Sequence, residues 1–78
     1  MRRIKEIVVL PDFQLKLVFD TQEIKVMDFK SIINEGVFKE LKDSTYFASV
    51  ANRGYFIEWP HEQDLSADTL YLESETLN

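Results

Sequence analysis

The chain has no cysteine, which excludes disulfides and thiolate metal sites. A domain this small without such staples depends on its apolar core or on a partner that completes it. Only two glycines occur, Gly36 and Gly54, too far apart for a glycine-rich phosphate loop. His61 is the single histidine, and no G-x-S-x-G elbow is present, so nucleophilic catalysis lacks its parts. Long apolar runs are missing too. Ile7 to Leu10 is followed at once by Pro11-Asp12, far short of the roughly 7–15 residues of a secretory core or the ~20 of a membrane span. A cytoplasmic location with no membrane partner is therefore expected. A basic excess is also lacking. Phosphate neutralisation supplies most non-specific nucleic-acid affinity, so direct nucleic-acid binding is not expected at a net charge of −5.

What is present is apolar. The 78 residues are 45% hydrophobic and 13% aromatic, enough for one modest core. Charge is uneven along the chain. Residues 1–42 carry 8 basic and 7 acidic groups, whereas residues 43–78 carry 7 acidic groups and one basic group, Arg53. An acidic second half can keep a small domain soluble, and it can also meet a basic protein surface.

Periodicity gives the organisation. Ile4 to Leu10 is rich in β-branched residues and stops at a turn signal. Phe13, Leu15, Leu17 and Phe19 then alternate with Gln14, Lys16 and Val18, the period of a strand with one buried face. After Asp20-Thr21-Gln22, a second alternation runs through Glu23 to Val26. These three segments read as an antiparallel meander. Asp28 suits a helix N-cap, with Met27 and Ile32 spaced as a hydrophobic staple and Gly36 at the far end. Val37, Phe38 and Leu41 suggest a further apolar turn. Tyr46–Ala51 and Tyr55–Trp59 read as two more strands joined by Asn52-Arg53-Gly54. Pro60 ends the second, because proline cannot donate to a ladder. Ser66 caps a last helix over Leu65–Leu72, with Asp68 in its first turn, where the helix dipole favours negative charge. The expected fold is a two-layer α+β domain over residues 1–72, order β-β-β-α-β-β-α, with helices on one face. Residues 73–78 are expected to fray.

The ordered set of Leu15, Leu17 and Phe19, Asp28, Gly36, Phe38, Leu41, Asp43, Phe47, Val50, Gly54, Ile57, Trp59-Pro60, Asp64-Leu65, Asp68 and Leu70-Tyr71 resembles the family known as domain of unknown function 2442. The resemblance covers residues 4 to 72. It implies a small bacterial or archaeal α+β protein with an antiparallel sheet, and brings no established activity. Some relatives carry a helix-turn-helix domain, and others are encoded beside a second small protein, an arrangement like a toxin–antitoxin pair. Two loops depart from the family pattern. His61-Glu62-Gln63 follows Trp59-Pro60 where a Gly often occurs, and Asp20-Thr21-Gln22 ends without the usual Gly.

Candidate chemistry is sparse. His61, Glu62 and Asp64 share one loop, but one histidine without cysteine makes only a weak carboxylate site, so no metal or cofactor is expected. Glu58 alternates with apolar neighbours, and a strand carboxylate of this kind is expected to face solvent or pair with Lys or Arg. Trp59 fits both an interface anchor and a core residue whose N–H meets backbone; the core is expected. Arg2, Arg3 and Lys5 with Tyr46, Phe47 and Tyr55 fit single-strand binding poorly. The expected function is a non-enzymatic interaction module, antitoxin-like, binding a small protein encoded nearby or a second copy of itself. Glu58, Asp64, Asp68 and Trp59 are its candidate residues. The alternative is a small-ligand sensor with a pocket between sheet and helix, lined by Phe29, Phe38 and Trp59. A third reading is an enzyme using Glu58, Glu62 or Asp64.

Overall fold

A computed structural model describes residues 2–77. Three strands open the chain: β1 (Ile4–Leu10), β2 (Gln14–Phe19) and β3 (Ile24–Asp28). They pair antiparallel in sequence order, with Ile7 opposite Leu17 and Leu17 opposite Lys25. The period-two pattern buries Leu15, Leu17 and Phe19 completely. Phe13 does not belong to the strand. It lies in the β1–β2 turn with φ 59°, and its ring packs edge-on against Phe47 at 5.5 Å.

The stretch after β3 differs from the single capped helix expected there. The Asp28 carboxylate does accept the Lys30 amide at 2.9 Å. Only a 3-10 turn forms, at Ile32–Asn34, and a second 3-10 segment follows at Gly36–Lys42. Two β-branched isoleucines and an asparagine in so few residues disfavour a regular helix. Gly36 (φ 45°) starts the second segment rather than closing a long first one.

The next difference lies at Tyr46–Ala51, expected as a strand. Asp43 accepts hydrogen bonds from the amides of Thr45 and Tyr46, at 2.9 and 3.3 Å, and starts the short helix α1 (Ser44–Phe47). The cap outweighs the β-propensity of Tyr46 and Phe47. Strand pairing begins only at β4 (Ala51–Asn52), followed by β5 (Phe56–Glu58) and β6 (Asp64–Ser66). The hairpin turn holds Gly54 at φ 85°, the conformation a glycine supplies there without strain.

Ser66 caps α2 (Ala67–Glu73), its hydroxyl accepting the Thr69 amide at 3.0 Å. Fraying was expected over residues 73–78; Asn78 lies outside the described residues, Glu73 ends α2, β7 (Glu75–Thr76) pairs with Lys25 and Val26 of β3, and the Leu77 amide donates to the Ile24 carbonyl at 2.9 Å. The open side of β3 offers this pairing, which covers one sheet edge.

The strands therefore form two antiparallel sheets, β1-β2-β3-β7 and β4-β5-β6, not one five-stranded sheet. One core draws on both. It joins Ile4, Leu15, Leu17, Phe19 and Met27 to Ile57 and Trp59, with Phe29, Ile33, Leu41 and Phe47 from the connecting segment and Ala67 and Leu70 from α2. Each of the larger of these, such as Leu17, Phe29 or Leu70, stabilises by about 1.5–3 kcal/mol when fully buried. Tyr71 ties α2 to the first sheet. Its hydroxyl donates to Glu23 at 2.8 Å, Arg2 lies 3.7 Å from its ring centre and Lys25 4.0 Å, and the Lys25 ammonium donates to its carbonyl.

Candidate functional site

The side chains singled out in the sequence mostly have structural partners. Trp59 is 2% exposed, and its indole N–H donates to the Phe47 carbonyl at 2.9 Å. It packs edge-on against the fully buried Phe29, centroids 5.7 Å apart. Phe38 lies elsewhere, lining a shallow hollow with Ser31, Ile32, Glu35 and Leu65. Phe29, Phe38 and Trp59 thus do not share the lining of one pocket. Glu58 accepts from the Arg53 Nε at 2.7 Å. Asp64 stands opposite Glu58 in the β5–β6 ladder, exposed. Asp68 meets Arg2 at 3.4 Å in the first turn of α2. Among the described residues, no three His, Cys, Asp or Glu side chains gather as metal ligands.

A polar network that sequence reasoning missed holds the loop after Pro60. Gln63 is 2% exposed. Its amide donates to the Val37 carbonyl at 2.8 Å and to Glu40 at 3.0 Å, and its oxygen accepts from the Tyr46 hydroxyl at 2.6 Å. That hydroxyl also accepts the His61 amide at 2.8 Å, and the His61 ring stacks on the Tyr46 ring and meets Glu40 through Nδ1. The hydrogen bond from His61, with that from Gln63, holds the Glu40 carboxyl below its ordinary value. Two of these residues, Glu40 and Gln63, are 23 positions apart, and no local pattern marks them. The network uses its polar atoms to fix a loop, which is how a buried amide is normally satisfied.

The surface left open is the first sheet. Its registers place Leu15, Leu17 and Phe19 on the core side. On the other side lie the rows Val8–Lys16–Val26 and Glu6–Val18–Ile24. Val8 and Ile24 are each 37% exposed on this face. β1 also forms one end of the four-strand order, with β2 its only ladder partner among the described residues. Together these features define a small mixed α/β domain with antiparallel sheets, in which Glu58 and Asp68 are paired apart, His61 and Glu40 serve a loop network, and one sheet face is uncovered among the described residues.

The chain belongs to the family described as a protein of unknown function (DUF2442), which matches residues 4–76. No curated protein and no solved structure matches it. Both departures from the family pattern fall on left-handed backbone: Gln22 has φ 77° and Glu62 has φ 81°. These loops keep a glycine-like conformation without the glycine. No helix among the described residues is long and apolar enough to cross a membrane.

Proposed function

We propose that this domain is a non-enzymatic interaction module, which binds a small protein encoded nearby or a second copy of itself. The open face of the four-stranded sheet carries this reading. Val8 and Ile24 are exposed there beside Val18 and Val26, with Lys16 and Glu6 in the same rows. Apolar side chains flanked by charges are the composition of a docking patch, since burying them releases water and the charges set register. An antitoxin-like role in a two-gene pair fits such a module: masking a partner requires surface, not catalytic groups.

The test is light scattering on the purified chain, alone and mixed with the product of the adjacent gene. A complex at micromolar concentration is expected, lost in the Val8→Lys, Ile24→Lys double variant. A monomer in both samples would overturn the reading, as would a complex indifferent to that substitution.

A further inference from the structure

The unpaired side of β1 is closed at one end and basic there. The direction of each backbone group follows from the bonds around it. The Phe19 amide donates to Glu23 on the β3 side, and the Asp20 amide donates to Arg3 on the β1 side. Backbone groups alternate along a strand. Val18, Lys16 and Gln14 therefore bond toward β1, and their partners Glu6, Val8 and Leu10 bond toward β2. Ile7 and Val9 turn their amides and carbonyls outward. No backbone bond outside the ladders involves either residue among the described ones. Val9 is 41% exposed.

At Ile4 this side is blocked. The Ile4 amide donates to the Gly54 carbonyl at 2.8 Å, and the Asn52 side chain donates to the Ile4 carbonyl at 3.0 Å. The β4–β5 hairpin tip thus occupies the place of the next strand. A hollow of about 520 Å³ opens beside it, lined by Arg3, Ile4, Lys5, Asp20 and the tip residues 52–54. Arg3 and Lys5 have no carboxylate within ion-pair reach among the described residues, and Arg53 meets Glu58 through Nε. Three cations thus line the hollow against one carboxylate, in a chain of net charge −5. Gly54 holds the tip at φ 85° beside the Arg3 guanidinium, a conformation that favours glycine.

We propose that the free edge of β1 captures the extended C-terminal tail of a partner protein, with the tail's terminal carboxylate in the Arg3–Lys5–Arg53 hollow. The inference rests on the interaction-module reading and names its ligand. A tail antiparallel to β1 brings its C-terminus toward Lys5. Outward amides and carbonyls of Ile7 and Val9 supply the ladder, as in other edge-strand capture. The hairpin tip stops the incoming strand, so the chain must end there, and a free carboxylate meets guanidinium and ammonium donors. The six residues Lys5 to Leu10 span roughly 17 Å.

The test uses a labelled eight-residue peptide of alternating Thr and Val, with a free or an amidated C-terminus, titrated with the whole chain. The free-acid peptide is expected to bind about tenfold more tightly than the amide, a difference that shrinks at high salt. Arg3→Glu should erase that preference. Val9→Pro should abolish binding of both peptides, because it removes an outward amide that the ladder with β2 does not use. On the unaltered chain, the Ile7 and Val9 amides should exchange more slowly once the free-acid peptide is added. Equal affinity for acid and amide, or no binding up to millimolar peptide, would overturn the proposal. So would unchanged exchange at Ile7 and Val9, or a β1–β1 dimer occupying the edge. A complex with the adjacent gene product that survives Val9→Pro would leave the open-face reading standing while removing this one.

Discussion

Residues 2–28 and the 38 that follow, up to α2, use different means to the same end. The β1–β2–β3 meander is regular, and its ladders satisfy most backbone groups while side chains alternate between core and solvent. Residues 29–66 make two 3-10 segments, one helical turn and three short strands. Here side chains complete what ladders do not. Asp43 caps α1, Asn52 bonds the Gly54 amide at 2.8 Å, and Gln63 bonds Val37, Glu40 and Tyr46. An irregular segment can thus be fixed as firmly as a sheet if its polar atoms find partners and it contributes large side chains to the core.

Equal firmness predicts equal cost on truncation. Trp59→Ala should destabilise by about 3–5 kcal/mol and Leu17→Ala by about 2–5 kcal/mol, read from urea unfolding. A loss under about 1 kcal/mol for Trp59→Ala would mean that the irregular half is loosely packed, and the comparison would break. Because either loss approaches the whole stability of a domain of this size, absence of binding in these variants carries no information about the interaction surface.

Next in size is Gln63→Leu, which removes three hydrogen bonds at a buried position. It should cost about 1–3 kcal/mol by stranding the Val37 carbonyl. Faster amide exchange confined to residues 37–47 and 60–64 would show that the network holds the loop. Exchange that rises uniformly across β1–β3 would show instead that the two regions unfold as one unit.

How much of this was legible follows the same division. Alternation from Leu15 to Phe19 gave β2, and Asn52-Arg53-Gly54 and Ser66 gave a turn and a cap, because each is a local effect of side chain on backbone. Tyr46 and Phe47 misled because their β-propensity is a weak preference that one aspartate at position 43 overrides. β7 was invisible: Glu75 and Thr76 carry no pattern, and their pairing with Lys25 and Val26 depends on where α2 ends. The sites were the least legible. Gln63 and Arg3 acquire meaning only from Tyr46 and Gly54, which the fold brings to them. Trp59, Glu58 and Asp68 were chemically conspicuous and are occupied with packing or ion pairs, while Asp64 stands exposed.

One substitution per region sharpens the comparison at smaller scale. Gln22 in the β2–β3 turn and Glu62 after Pro60 both hold positive φ. A side chain in that conformation costs roughly 1–2 kcal/mol, partly offset on substitution by the greater freedom of glycine when unfolded. Gln22→Gly and Glu62→Gly should each stabilise by about 0.5–1 kcal/mol, and the two gains should add because the sites share no partners. Destabilisation by either would show that its side chain contributes more than its backbone costs.

The smallest effect is electrostatic, and each region supplies one group. In the meander, the Tyr71 hydroxyl and then Thr21 hold the Glu23 carboxyl below its ordinary 4.5. In the irregular half, His61 and then Gln63 do the same for Glu40. A carboxyl depressed in the folded state binds its proton less readily there than in the unfolded chain. Its contribution is therefore complete above about pH 4.5 and is lost as pH falls through the lowered folded value. Glu23→Gln and Glu40→Gln should each flatten the decline of the urea midpoint as pH falls below about 4.5, where the unaltered chain loses these contributions. Glu40 is exposed and Glu23 half-buried, so the effects should shrink at high salt, that of Glu40 the more. If only Glu40→Gln flattens the acid limb, Glu23 gains nothing from its contact with Tyr71, and α2 is held to the first sheet by packing, Lys25 and Arg2 instead.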